Sequence, residues 1–166
     1  MRGYFAIGAE RISKPMNLGN LLRSAHAFGA KFFFTIGAHP KAFDARSDTS
    51  KAAFHLPVYN WANASEIVLP IRCKLVGVEL IEGATDLPSF RHPLHAAYVL
   101  GPELGVLSGE VLSRCDYVIK IPTAFCINVA MAGAIVMYDR VRSLGTFPDR
   151  METRAEVSLG KPGTRS

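Results

Sequence analysis

Residues 101–140 read GPELGVLSGEVLSRCDYVIKIPTAFCINVAMAGAIVMYDR. A glycine turn with a carboxylate, Gly101-Pro102-Glu103, follows AAYVLG (96–101), an apolar run with the composition of a buried strand. SGEVLSRC (108–115) suits a short helix, with Ser108 as its N-cap and Val111 and Leu112 facing inward. DYVIKIP (116–122) is a further strand, stopped by Pro122. From about Ile127 to Leu144 the small residues Ala130, Ala132, Gly133 and Ala134 mark a tightly packed helix, and one amide, Asn128, interrupts its apolar start. Strand, short helix, strand and long helix in that order belong in a parallel sheet with crossovers.

The upstream chain extends the same pattern. GYFAIGAE (3–10), KFFFTIG (31–37) and KLVGVEL (74–80) are apolar strands. ERISKPM (10–16) reads as a loop closed by Pro15. NLGNLLRSAHAFGA (17–30) then places Leu18, Leu21, Leu22, Ala25 and Phe28 near helical spacing, with Gly29 as C-cap. Residues 38–57 are polar and loop-like, with one helical turn around Ser50 to Phe54. Continuous apolar strands are what a sheet covered on both faces requires. The expected fold is therefore α/β, a parallel sheet flanked by helices. One domain is expected over residues 1–147, and the polar segment 148–166, which lacks an apolar face, is expected to form a flexible tail.

Composition narrows the class. With 166 residues, 49% apolar and 20% charged, the chain has the makings of one globular domain and not of a disordered segment. A net charge of +5 favours a polyanionic partner without proving one. Arg2, Arg11, Lys14, Lys31, Lys41, Arg46 and Lys51 give the first third of the chain a basic excess. Cys73, Cys115 and Cys126 stand apart with no CxxC pair, which argues against a disulfide scaffold or a structural zinc site and points to a reducing, cytoplasmic setting. The N-terminal apolar stretch before Glu10 is too short for a signal peptide, and the run Ala124 to Tyr138 is too short to span a bilayer. No membrane association is expected. His92 and His95 form the only close histidine pair; they lie in a loop before a strand with no third ligand, so they are expected as a partly exposed pair and no metal is expected. Neither GxxxxGK[ST] nor a strand-linked GxGxxG is present, so the two common phosphate cradles are absent.

Three segments fall at the C-terminal ends of strands or just beyond, where open α/β sheets bind ligands: NLGNLLR (17–23), LGPE (100–103) and IPTAFCIN (121–128). Each alone has an ordinary explanation. Asn17 caps a helix whose solvated face carries Arg23, Gly-Pro makes a turn, and a buried Asn128 fixes a loop. Taken in order, N-x-G-x-x-x-R, then a strand running into GPELGVLS, then I-P…N opening a small-residue helix, the chain resembles the SpoU (TrmH-like) branch of the SPOUT RNA methyltransferases over roughly residues 3–145.

The resemblance implies a parallel sheet with a C-terminal trefoil knot, S-adenosylmethionine as cofactor, methylation of a ribose 2′-hydroxyl in RNA, and a homodimer with each site near the interface. Carried over by position, Arg23, Glu103 and Asn128 are the expected catalytic residues, with the accepting base left open between a perturbed Arg23 and Glu103. Leu80, Gly101, Ile121, Cys126 and Ile127 are expected to hold the cofactor, and Asn17, Arg23, Arg11 and Lys14 to meet RNA. tRNA is the favoured substrate, because small family members often act on it, with ribosomal RNA second. Dimerisation is expected through the C-terminal helix and the helix begun by Asn17, with Ala130 and Ala134 beside Met131 and Met137. Two departures stand out. Cys126 occupies the place of a serine found in many members, and a thiol is a weak hydrogen-bond partner. The separate N-terminal RNA-binding domain of some relatives is expected to be absent. The alternative is a catalytically silent RNA-binding homologue of the same fold.

Overall fold

The structure, a computed structural model, describes residues 3–44 and 55–148. The turn expected at Ser50 to Phe54, the tail from residue 149 onward, and the cations Arg2, Arg46 and Lys51 lie outside the described residues. The elements run β1 (Tyr4–Glu10), α1 (Pro15–Ala27), β2 (Phe33–Ile36), β3 (Val58–Trp61), β4 (Lys74–Val78), β5 (Thr85–Asp86), β6 (His95–Leu100), α2 (Gly109–Arg114), β7 (Tyr117–Lys120) and α3 (Val129–Leu144). Seven strands form one sheet in the order β3-β2-β1-β6-β4-β7-β5, and every pair is parallel. The expected α/β parallel architecture is therefore present.

Both faces of the sheet are covered. Phe5, Ile7, Leu21, Leu22, Leu100 and Val136 belong to the layer shared with α1 and α3, and Ala6, Phe34, Ile36, Val99, Leu107 and Val111 to the opposite layer under α2. The small-residue pattern of α3 has a steric cause. A Cβ on Gly133 would stand 2.3 Å from Leu21 Cδ1 and 3.4 Å from both Ile7 and Leu100, so a larger residue would force buried Leu21 to shift before α3 could settle onto α1 and the sheet.

Several local expectations change. Helix α1 begins at Pro15 instead of Asn17, because proline fits the first helical turn and Lys14 takes the cap position. Asn17 is therefore not a cap, and its side chain is free for other work. At the other end Phe28 is the C-cap. Gly29 follows it at φ 79°, and the bonds Gly29 N–H to His26 O and Ala30 N–H to Ala25 O close a Schellman motif. Strands β3 and β5 were not anticipated. VYNW is short and half-polar because β3 is an edge strand, and β5 is a two-residue edge piece.

His92 is buried, contrary to the expectation of a partly exposed loop pair. Its Nε2 lies 2.9 Å from Asp139 Oδ2 and its Nδ1 2.6 Å from the Tyr98 hydroxyl. The fully buried Arg140 donates to that hydroxyl and to the carbonyls of Pro93, Leu94 and Tyr4, so this network ties α3 to the start of β6. The bonding is self-consistent when Arg140 donates to Tyr98, Tyr98 donates to Nδ1, and Nε2–H donates to Asp139. Burial pushes the His92 pKa below its ordinary value, against the pull of Asp139. A depressed pKa means that the folded state binds fewer protons than the unfolded one, so this stability is present above about pH 6.5 and is lost as pH falls. Thermal melts from pH 8 to pH 5 should show a decline that His92→Gln flattens, at a lower overall melting temperature. An identical slope in both proteins would remove His92 from this role. His95 instead stacks on Tyr4 at 4.8 Å. Among the described residues no three metal-ligating groups cluster, and no helix is long and apolar enough to cross a membrane.

Candidate functional site

Strand register brings the chemistry to one rim. Ala9 pairs with Leu100, Leu100 with Val78, and Val78 with Ile119, so β1, β6, β4 and β7 end in one row. The segments just beyond that row, Glu10 to Lys14, Glu79-Leu80, Gly101 to Glu103 and Ile121 to Asn128, therefore meet at the C-terminal edge of the sheet. Ligands bind there in open α/β folds. They enclose a cleft whose walls include Leu80, Gly101, Ile121, Cys126 and Ile127, with Lys14, Asn17, Glu103 and Asn128 among its polar residues.

The three motif residues form one hydrogen-bonded chain. Glu103 accepts from the backbone N–H of Lys14 (2.9 Å) and of Ser13 (3.1 Å), from the Ser13 hydroxyl (3.2 Å) and from Asn17 Nδ2 (3.2 Å). Buried Asn17 then accepts through Oδ1 from Asn128 Nδ2 (3.0 Å). Asn128 Oδ1 accepts from the N–H groups of Ala130 and Met131, which makes it the N-cap of α3. The asparagine in the apolar run thus has a structural duty as well as a place in the cleft. Partial burial works against ionisation of Glu103, yet the bonds from Lys14, Asn17 and Ser13 outweigh it and hold the carboxyl below its ordinary pKa. A carboxylate so occupied is a poor proton acceptor, and its geometry is that of a clamp between the turn after β6 and the start of α1.

Two carboxylates escaped the sequence reading. Glu79 is buried directly after β4 and accepts from Leu107 N–H (2.7 Å) and Leu80 N–H (3.0 Å). Glu10 is buried at the end of β1 and accepts from Ser108 N–H (2.7 Å). Together they fix the loop between Glu103 and α2. A Cβ on Gly101 would lie 2.7 Å from Glu79 Oε2 and 3.3 Å from Leu107 N, so a side chain here would displace the Glu79 carboxylate that holds Leu107 N–H. The available signal was the position of each glutamate, immediately after an apolar strand that ends at the binding edge.

The remaining residues divide. Arg11, at the exceptional φ of 50°, donates Nη2 to Val106 O (2.7 Å) and sits 3.9 Å from Glu10. Lys14 is exposed at the mouth of the cleft. Cys126 is exposed on the cleft wall. Arg23 does not line the cleft. It is exposed two turns along α1 from Asn17, without a hydrogen bond or ion pair among the described residues.

The SpoU rRNA Methylase family model matches residues 4–138. The 23S rRNA (uridine(2479)-2′-O)-methyltransferase of Streptomyces viridochromogenes is 27% identical over 146 residues, covering 80% of this chain and 50% of its own length. The tRNA (guanosine(18)-2′-O)-methyltransferase TARBP1 of Mus musculus is 26% identical over 145 residues, 81% of this chain and 9% of its own. Among solved structures, the SpoU methyltransferase AviRb from Streptomyces viridochromogenes in complex with the cofactor AdoMet matches with a TM-score of 0.73 at 25% identity, over 86% of this chain and 58% of its own. The chain spans about half the length of the curated relatives it matches first.

Proposed function

The chain belongs to the SpoU rRNA methylase family, and from that premise we propose that it is an S-adenosylmethionine-dependent methyltransferase acting on a ribose 2′-hydroxyl of RNA in the cytoplasm. tRNA is the favoured substrate class, from the resemblance to small family members, and ribosomal RNA is the second. The observation that carries this reading is the chain of bonds Glu103–Asn17–Asn128 at a cleft walled by Leu80, Gly101, Ile121, Cys126 and Ile127. The family also supports a trefoil knot, a rare exception to the ordinary threading rule, in the segment by which the chain leaves β7 and returns to pack α3 on α1.

The residues present suit the cofactor. Aliphatic walls from Leu80, Ile121 and Ile127 offer an apolar slot for a flat heterocycle, and Gly101 lets its backbone lie close to the Glu79 carboxylate there. S-adenosylmethionine, when bound, supplies a methyl group already activated by its positive sulfur. The protein's share is orientation and exclusion of water. Glu103 holds the 13–17 turn, Asn17 and Asn128 fix the floor against α3, and Lys14 offers a cation at the mouth for a phosphate. Arg23 offers a planar cationic fork for ribose or phosphate. Calorimetry should show S-adenosylmethionine binding to the unaltered chain and a loss of at least tenfold in Gly101→Val, whose branched side chain collides with Glu79 and Leu107. No binding by the unaltered chain would refute the reading. A silent homologue is the second reading, favoured by the thiol of Cys126 in place of a hydroxyl; it predicts cofactor and RNA binding without methyl transfer.

We also propose a homodimer, with a change of contact face. Ala130 and Met137, expected at the interface, are buried against the chain's own core, because that side of α3 rests on α1. The exposed stripe is Met131 (61%), Ile135 (39%) and Tyr138 (59%), with Met16 (69%) exposed at the start of α1. Spacings of four and three residues put the α3 trio on one face, and such a patch is unusual on a monomer. Light scattering should give twice the chain mass, falling to one chain mass in Ile135→Asp/Tyr138→Asp. A single-chain mass for the unaltered protein at micromolar concentration would count against the dimer.

A further inference from the structure

Trp61, the sole tryptophan, ends β3 at the edge of the sheet. Its ring runs parallel to that of Tyr59, with centroids 6.3 Å apart and 13° between planes, because residues two apart on a strand share a face. Phe34 packs behind Trp61 at 5.2 Å and Phe32 behind Tyr59 at 5.7 Å. The inner rings are buried, whereas Tyr59 is 50% exposed and Trp61 half-buried. The result is an aromatic ledge, backed by core rings and open outward.

Arg11 links the ledge to the loop that follows Glu103. Gly37 N–H donates to Trp61 O, and at φ 57° Gly37 leaves Ala62 O and Arg11 Cγ at 3.3 and 3.7 Å from where its Cβ would stand. Arg11 thus lies beside the end of the ledge while its guanidinium reaches Val106 O in the loop that follows Glu103. Glu66, the nearest carboxylate in sequence, is taken up by Ala62 N–H. β3 is three strands from β6, about 14 Å at the usual strand spacing, so ledge and cleft are separated by a short length of extended nucleic acid. Cations for phosphates and exposed aromatic faces for unpaired bases are the two elements of single-strand recognition.

We propose that Tyr59 and Trp61 stack an unpaired base of the RNA, a few nucleotides from the one that enters the cleft, with Arg11 on the intervening phosphates. This rests on the proposed RNA methyltransferase reading and extends it to how the substrate strand is held. The test uses Trp61 as its own reporter. A short single-stranded RNA of mixed sequence should quench Trp61 fluorescence, and the same strand in a duplex should not. By fluorescence polarisation, Tyr59→Ala and Trp61→Leu, the latter keeping apolar bulk against Phe34, should each bind that single strand about 5- to 100-fold more weakly. Trp61→Phe should bind nearly as the unaltered chain does, and S-adenosylmethionine affinity should hold in all three. Unchanged RNA affinity in both truncations, equal quenching by duplex, or a fall in oligomeric mass on Tyr59→Ala, which would make the ledge a contact between copies, would each overturn the proposal. Failure of the methyltransferase reading looks different: no cofactor binding by the unaltered chain, whatever the oligonucleotide does.

Discussion

Arg23→Ala is expected to slow methyl transfer about a hundredfold to a thousandfold, by analogy with the loss of a single transition-state donor, while folding stability stays within about 0.5 kcal/mol. The two halves of this result have separate causes. Arg23 is exposed and unpaired among the described residues, and Leu18, Leu21, Leu22 and Ala25 supply the buried stripe of α1, so its truncation removes no core contact. It does not line the chain's own cleft, so in the dimer proposed above it would serve the cleft of the second copy. Arg23→Lys should recover only part of the rate, since lysine keeps the charge but loses the planar fork. Mixing equal amounts of Arg23→Ala and Asn128→Ala chains should restore about a quarter of the unaltered rate if sites are built across a twofold interface, because half of the dimers are mixed and each holds one intact site. An Arg23→Ala chain with the unaltered rate would mean that this arginine is merely a solvated helix residue.

Glu103→Ala should give a different pattern, losing stability and rate together. It removes the acceptor for two backbone N–H groups, one hydroxyl and the Asn17 amide, and leaves buried Asn17 with an unmet donor. Bonds to a charged acceptor set the scale at roughly 1–2 kcal/mol once partial solvent exposure is discounted. The larger effect is on rate, because the 13–17 turn and the Asn17–Asn128 bond lose their anchor; about a hundredfold is expected from misplacement alone. The pH dependence has a definite sign. The Glu103 pKa is lower folded than unfolded, so its contribution is complete above the ordinary glutamate pKa of about 4.3 and disappears as pH falls through the folded value. Acid melts should therefore separate the unaltered chain from Glu103→Gln above this window and bring them together below it. If Glu103→Gln keeps both the rate and the acid profile, the clamp is not electrostatic.

Much of this was legible because apolar runs, terminators and motif positions agree. Strands β1, β2, β4, β6 and β7 announce themselves as apolar runs, and Gly101, Glu103, Ile121 and Asn128 follow where those runs stop. β3 was hidden because an edge strand buries little and VYNW alternates no clear pattern. Arg140 was hidden because its partners are carbonyls from Tyr4, Pro93 and Leu94, distant in sequence and without a side-chain signal. His92 looked like a loop residue because its burial depends on Tyr98 and Asp139, which only the packing of α3 brings near. Glu79 and Glu10 resembled ordinary polar strand ends. The destination of Arg23 is not legible in one chain, because its exposed side chain meets no hydrogen-bond or ion-pair partner among the described residues.

The most direct measurement is methyl transfer from S-adenosylmethionine labelled in its methyl group to bulk tRNA and ribosomal RNA, followed by digestion and separation of nucleosides. Label is expected in 2′-O-methylribose, confined to few positions and sharply reduced with Asn128→Ala and Arg23→Ala. Label on a base, or no transfer by a protein that binds the cofactor and RNA, would contradict it.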